Sequence, residues 1–351
     1  MNMAGRPEHL DIVYVAALPP YGTCFHRAQA LVRLGHTVMP VPTLYPREAT
    51  LASISRRALK RMLGPRDDMG ANRRLLAYVR DYHPHVVWID KGLTIDAETL
   101  CAIRKRSPAT LLVHYSPDDM SNPENHSRQY FQCIPIYDLH VTTKSFLPRE
   151  LTPLGAKRVL FVNNAHCPVI HRPVAVTPRD REEVGGPVGF IGAREAERRA
   201  SIVALGRRGI SVRVWGRWNI PSTGNVRIER GWLYNGDYAR AICAFDINLG
   251  FLRKENRDVQ TTRSVEVPAC GGFMLAERTD EHLSLFEEDR EAVFFGNDEE
   301  LVDKAIYYLG HPDERARIAA AGRQRCLASR YDNDAMVGKV LDHLFEQAPP
   351  A

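Results

Sequence analysis

Two carboxylates, Asp118 and Asp119, follow the apolar run Thr110-Leu-Leu-Val-His114 and the short stretch Tyr115-Ser116-Pro117. If that run is a strand of a parallel sheet, both acids emerge at its C-terminal edge, where ligands of α/β proteins bind. A carboxylate there can take the proton of a hydroxyl that is becoming a nucleophile, with His114 next in line. The competing reading is a Pro-Asp turn at Asp118 and a helix cap at Asp119. A second constellation, Phe190-Ile-Gly192-Ala-Arg194-Glu-Ala-Glu-Arg198, joins an apolar run to a helical segment. Backbone N–H groups at a helix start, together with the guanidinium groups of Arg194 and Arg198, suit a diphosphate. A solvated helix-face arginine or an internal ion pair is the alternative for Arg198. Tyr21-Gly22-Thr23 occupies an earlier strand-to-helix loop and either lines a ligand cleft or closes a turn.

Metal and redox chemistry are not expected. The seven cysteines (Cys24, Cys101, Cys133, Cys167, Cys243, Cys270, Cys326) form no C-x-x-C pair, and their odd number argues against a complete disulfide framework. His166-Cys167 with His171 comes nearest to a metal cluster but lacks a spaced partner pair for tetrahedral closure. His26, His166 and His171 are held in reserve as acid–base groups.

The elements that must position these residues follow from the apolar runs. Asp11–Ala17 reads as a buried strand, Leu18-Pro-Pro-Tyr-Gly22 as a loop, and Thr23 as the N-cap of a helix through Leu34 that Gly35 stops. A strand at His36–Val41 completes a β-α-β unit, and further strands are expected at His85–Ile89, Thr110–His114, Leu139–Thr142 and Val159–Val162. Residues 163–186, with Pro168, Pro173, Pro178 and Gly185-Gly186, carry no apolar period. The β-α-β pattern then restarts at Pro187–Ile191, with helices expected at about 298–309, 312–328 and 333–346. This gives an N-terminal domain over 1–168, a linker over 169–186, a second domain over 187–332 and a closing helix and tail over 333–351. Two successive doubly wound α/β halves place a ligand cleft between them.

Composition agrees with this reading and removes several classes. The chain has 351 residues, 44% hydrophobic and 25% charged, which is ordinary for a soluble enzyme and excludes a disordered, collagen-like or disulfide-scaffold chain. A formal charge of +5 is too weak to imply nucleic acid. Asp11–Leu18, the longest apolar stretch, is far short of the roughly 20 residues that span a bilayer, and the N-terminus lacks an apolar signal core. A cytoplasmic location is expected. Residues 51–63 put Leu51, Ile54, Ala58, Leu59 and Met62 on one helical face, with Arg56, Arg57, Lys60 and Arg61 supplying positive charge. That pattern suits peripheral contact with the anionic inner face of a membrane, or a helix docked on its own domain.

The stretch Leu249 to Gly272 is the most informative. Thr262-Arg263-Ser264-Val265-Glu266-Val267-Pro268-Ala269-Cys270-Gly271-Gly272-Phe273 resembles the core signature of the CgeB-like glycosyltransferase family, named after a spore-maturation protein. The likeness runs through about residues 187–335, while the N-terminal half matches only in layout. It implies the GT-B architecture: two facing Rossmann-like doubly wound domains with an interdomain cleft. The expected activity is transfer of a sugar, hexosyltransferase-like and without a bound metal or other cofactor, from a nucleotide-sugar to an unidentified acceptor: a glycan, lipid-linked glycan, protein or small molecule. The donor would sit in the second domain and the acceptor in the first, beside Tyr21, Gly22 and Thr23.

In related sugar transferases an E-x7-E motif ends in a glutamate that accepts hydrogen bonds from the ribose. Glu266 holds that second position, and Asp258 stands eight residues earlier where the motif has glutamate. The resemblance also points to Gly192, Arg198 and Thr262 in the donor site and, by family layout, to Gly231 and Trp232 near the base, an ordinary packing tryptophan being the alternative for Trp232. Arg253, Lys254 and Arg263 are further candidates because a departing diphosphate builds negative charge that must be balanced. Two alternatives remain: a catalytically silent nucleotide-sugar-binding or assembly protein, and a sugar-nucleotide epimerase or hydrolase on the same frame.

Overall fold

The computed structural model describes residues 6–44 and 65–346; the amphipathic stretch 51–63 lies outside the described residues. The chain forms two compact units, one taking residues up to Asn163 together with those from Asn333 onward, the other Asn164–Asp332.

The first unit is built from β1 (Asp11–Ala16), α1 (Thr23–Arg33), β2 (Thr37–Pro42), α2 (Ala71–Tyr82), β3 (Val86–Asp90), α3 (Ala97–Arg106), β4 (Leu111–Ser116), α4 (Arg128–Cys133), β5 (Leu139–Thr142), α5 (Leu147–Leu151) and β6 (Val159–Phe161). Its six strands are all parallel, in the order β2-β1-β3-β4-β5-β6. Ile12 to Ala16 and Val86 to Ile89 are fully buried, which explains why these strands read as continuous apolar runs: helices cover a parallel sheet on both faces. Gly22, not Thr23, is the N-cap of α1. The glycine N–H donates to the Pro19 carbonyl (2.8 Å), and the Gly22 carbonyl accepts from His26 N–H (3.1 Å). A Cβ on Gly22 would meet Pro19 Cγ at 3.1 Å, so the tight Pro19–Gly22 turn leaves little room for a hydroxyl-bearing cap.

The second unit holds α6 (Pro178–Glu183), β7 (Gly186–Ile191), α7 (Ala196–Arg207), β8 (Val212–Gly216), β9 (Val226–Arg230), α8 (Asn235–Ala244), β10 (Phe245–Gly250), α9 (Arg263–Ala269), β11 (Met274–Glu277), α10 (Asp280–Leu285), β12 (Val293–Phe295), α11 (Asp298–Gly310) and α12 (Pro312–Ala328). Its parallel order is β12-β11-β10-β7-β8-β9. Phe190, Trp218, Phe251 and Phe295 interlock edge to face in its core. Helix α6 lies in the segment read as structureless. Its sequence is all polar after the proline, so no apolar period marks it, but Thr177 and Asp180 close a capping box around Pro178.

The last helix, α13 (Asn333–Glu346), returns to the first unit. Arg33 of α1 grips Asp334 through Nε at 3.0 and 3.1 Å, and Arg158 donates to the Leu344 carbonyl at 3.3 Å. In each sheet the direction of strand addition reverses once, between β1 and β3 and between β7 and β10. At such a reversal the loops leaving the strand ends splay apart and open a crevice.

Candidate functional site

The crevice of the second unit lies beyond the ends of β7 and β10. Gly192 leaves β7 with its N–H donating to the Trp215 carbonyl (2.9 Å) and its own carbonyl accepting Trp218 Nε1–H (2.9 Å). A Cβ at Gly192 would come within 2.6 Å of the Phe190 ring, so a side chain there would push the loop off the ring. Arg198, in the first turn of α7, is 2% exposed. Its Nη1 donates to the Ala193 carbonyl (3.1 Å) and lies 3.4 Å from Glu195 Oε1, whereas buried Nε and Nη2 have no hydrogen-bond partner among the described residues. The guanidinium groups of Arg198 and Arg263 lie 5.6 and 5.7 Å from the centroid of the same Phe190 ring. Arg263 Nε is likewise buried without a hydrogen-bond partner among the described residues. Burial, reinforced by repulsion from Arg263, pulls Arg198 down to about 10, against the attraction of Glu195. A buried and a half-buried cation against one ring, with hydrogen-bonding capacity unused among the described residues, form a site that favours an anion.

The loop after β10 closes this crevice. Arg253 Nε donates to Glu195 Oε1 (3.2 Å), so that one oxygen faces both Arg253 and Arg198. Asp258 is engaged inside its own loop: Oδ2 accepts the Arg253 N–H (3.3 Å) and Oδ1 the Asn256 amide (2.7 Å). Leu252 N–H donates to Glu277 Oε1 (2.8 Å), and burial raises the Glu277 carboxyl against the opposing effect of Lys254. Thr262 is the N-cap residue of α9, and its carbonyl accepts the Glu266 N–H (2.9 Å). Glu266 is 6% exposed; Tyr238 donates its hydroxyl to Oε2 (2.7 Å), and His171 Nε2 stands 3.8 Å from Oε1. Gly271 ends α9 in the left-handed region (φ 75°), and a Cβ at Gly272 would strike Ile242 at 2.7 Å, so the pair is needed for the helix-to-strand turn.

Glu195, Arg198, Arg253, Asp258 and Arg263 therefore come together. Arg194 is exposed. Gly231 (φ 105°) pairs with Gly216 in an isolated bridge, and Trp232 beside it is half-buried.

In the first unit the predicted acids separate by environment. Asp118 is a fifth exposed and forms an ion pair with Lys91 Nζ. Asp119 is buried, and its Oδ1 accepts Ser121 N–H (3.1 Å) and Ser121 Oγ–H (2.7 Å), a turn-forming role. His114 lies in β4, which continues to Ser116, and is packed among Tyr130, Tyr137 and His140. Its Nε2 bonds the Lys91 carbonyl (3.2 Å), and burial, with His140 beside it, holds it well below the usual histidine range. This is the environment of a core histidine. Tyr21 is exposed, and Gly22 and Thr23 form the turn into α1.

Sequence reasoning missed the polar centre of this unit. Asp90, the last residue of β3, takes Tyr14 Oη–H (2.7 Å) and Arg27 Nε–H (2.8 Å) on Oδ2, while buried Oδ1 has no hydrogen-bond partner among the described residues. Arg27 also lies 4.2 Å over the Tyr115 ring. The available signal was an aspartate closing an otherwise apolar run. Cys24 beside it is pushed up to about 12 by burial and by Asp90, which disfavours its thiolate.

Among the described residues no group of three or more His, Cys, Asp or Glu side chains could hold a metal ion, and no helix is long and apolar enough to cross a membrane.

Residues 194–342 match a protein-family model described as glycosyl transferase-like. No curated protein matches the sequence. Among solved structures, HepE of Anabaena, in complex with UDP and glucose, is similar with a TM-score of 0.62 at 13% identity, covering 95% of this chain and 100% of that one. Sucrose-phosphate synthase from Thermosynechococcus elongatus gives a TM-score of 0.64 at 12% identity, covering 97% and 100%. A glycosyltransferase from Rickettsia africae gives 0.63 at 13% identity, covering 96% and 98%. At these identities the likeness is one of fold: the two-unit, Rossmann-like α/β architecture expected from the sequence, that of GT-B proteins.

Proposed function

We propose that the chain is a glycosyltransferase whose second unit binds a nucleotide-sugar and whose first unit receives the acceptor. The observation that carries this reading is the buried, incompletely bonded guanidinium of Arg198 beside Arg263, at the strand reversal where an α/β sheet takes ligands. The matched family stretch contains both arginines, and HepE, of like fold, is in complex with UDP and glucose.

In this reading the diphosphate takes the place of the Glu195 carboxylate between Arg198 and Arg253, with Arg263, Lys254 and the Gly192–Arg194 backbone completing its cradle. Glu266 accepts ribose hydroxyls, while Gly231 and Trp232 lie at the base. Asp258, engaged in its own loop, shapes Arg253 and Lys254 and does not need to reach the sugar. During transfer the bond from the anomeric carbon to the phosphate oxygen breaks and a bond to the acceptor oxygen forms. The acceptor proton passes to a carboxylate, for which Asp118 has the exposure and Asp119 does not. Negative charge gathers on the departing diphosphate, and fixed cations lower that barrier because they need no rearrangement as it develops. The finer assignment to the CgeB-like family rests on Thr262 to Phe273.

Titration calorimetry of the full chain with UDP, GDP, dTDP, CDP and ADP, each against its nucleoside, tests the reading. One diphosphate should bind at least about 30-fold more tightly than its nucleoside, the effect of about 2 kcal/mol from desolvated charge contacts. Absence of binding by all five would overturn it. With a nucleotide-sugar of that base supplied and no acceptor, rapid sugar release would reassign the chain as a hydrolase, and an epimerised nucleotide-sugar product would reassign it as an epimerase.

A further inference from the structure

Glu266 is nearly buried, and its side chain has to present an oxygen in one direction to recognise a ligand. Two residues outside the Thr262–Phe273 string surround it, and one of them, His171, also precedes the matched family stretch. Tyr238, in the first turn of α8, has a single hydroxyl proton and gives it to Oε2 at 2.7 Å. Burial and the neighbouring carboxylate keep that phenol protonated well beyond its ordinary range, so it is a permanent donor. His171 has its tautomer set from behind. The Cys167 N–H donates to Nδ1 at 3.0 Å, so the neutral ring carries its hydrogen on Nε2. That nitrogen faces Oε1 from 3.8 Å, too far to occupy the oxygen with a hydrogen bond but close enough to aim a positive N–H dipole at it. The His171 ring also meets the Tyr238 ring edge-on, with centroids 5.6 Å apart and planes at 68°, so each ring limits the other's rotation. A carboxylate has about four lone-pair sites. Tyr238 takes one on Oε2, and no described residue hydrogen-bonds Oε1.

We propose that Tyr238 and His171 are positioning residues that lock the Glu266 carboxylate with Oε1 turned to the ligand, and that this lock sets the preference for ribose over deoxyribose in the bound nucleotide. The proposal rests on the reading that Glu266 receives the ribose.

The test is calorimetry on the full chain with the nucleoside diphosphate that binds and with its 2′-deoxy and 3′-deoxy forms. The proteins are the wild type, Glu266→Gln, Tyr238→Phe, His171→Phe and His171→Gln. The wild type should prefer the ribonucleotide to one deoxy form by about 10-fold or more, and Glu266→Gln should lose most of that preference. Tyr238→Phe should cut it at least about 3-fold while changing affinity for that deoxy form less than 2-fold. His171→Phe should act in the same direction, and His171→Gln, which keeps an N–H at the same reach, should restore it. Equal weakening of ribo and deoxy forms in Tyr238→Phe, or an intact preference, overturns the positioning role and leaves the ribose reading standing. If Tyr238→Phe does not fold, the His171 pair decides on the same criterion. A wild type that does not discriminate overturns the ribose reading and the lock together.

Discussion

Replacing Arg198 by methionine should make the free protein more stable and the liganded one less so. A buried charge costs several kcal/mol in lost hydration unless it is paired and fully hydrogen-bonded. At Arg198 the compensation is one carbonyl at 3.1 Å, one carboxylate at 3.4 Å and a weaker attraction from Asp258, with Arg263 and Arg253 working against it and two nitrogens left without hydrogen-bond partners among the described residues. Methionine fills a similar volume without charge, and exchanging a poorly compensated buried charge for an apolar side chain stabilises by about 1–4 kcal/mol. Glu195 keeps Arg253 at 3.2 Å, so no carboxylate is stranded by the change. For a unit of this size each kcal/mol moves the melting temperature about 2–4 °C, so a rise of several degrees is expected in scanning calorimetry. Loss of a desolvated contact to the diphosphate costs about 2 kcal/mol or more, at least about 30-fold in Kd. The two effects have opposite signs. A lower melting temperature with unchanged nucleotide affinity would refute the reasoning, because it would make the guanidinium a structural group.

Glu195→Gln, which removes the negative charge now facing Arg198 and Arg253, should tighten binding of the same diphosphate several-fold in calorimetry; weaker binding would show that the carboxylate helps to organise the site. Asp118→Asn should lower kcat with KM little changed if Asp118 is the base, whereas Asp119→Ala should lower the melting temperature because Ser121 N–H and Oγ–H lose their acceptor. His140, held at about 4 by burial against 6.5 in the unfolded chain, should make the first unit acid-labile. The unfolded chain takes up this proton first, so the contribution is complete above about pH 6.5 and disappears as pH falls towards 4. It is worth up to about 3 kcal/mol, and a flat profile of urea midpoint against pH would contradict it.

The strands were legible because parallel strands are buried on both faces and so read as unbroken apolar runs, with ends misplaced by a residue or two. Ser116 and Asp90 show why the ends fail: a polar residue looks like a stop, yet the ladder continues through both. Helix α6 escaped because its signal is a capping box, not a period. The return of α13 to the first unit was invisible because periodicity marks an apolar face and not its partner. Within the candidate site, Arg198, Arg263 and Glu266 stand in recognisable strings. Glu195, Tyr238 and His171 act through side chains that meet only in three dimensions, and no local pattern marks such pairs.

The two sheets share a topology but differ in electrostatics, and the difference bears on which ligand each takes. Where β1 and β3 diverge, Asp90 is met by Arg27 and Tyr14, so charge is balanced within the fold and the chemistry left over is that of a single carboxylate oxygen and the Lys91–Asp118 pair. Where β7 and β10 diverge, Arg198 and Arg263 stand together with Glu195 and Asp258 nearby, yet part of the arginines' hydrogen-bonding capacity is unused among the described residues. Retaining a buried cation whose hydrogen bonds are incomplete lowers the stability of the free chain. The simplest physical reason to retain one is that binding an anion recovers the lost interaction. A charged, phosphate-bearing donor suits the second sheet on this ground, and a neutral hydroxyl-bearing acceptor suits the first.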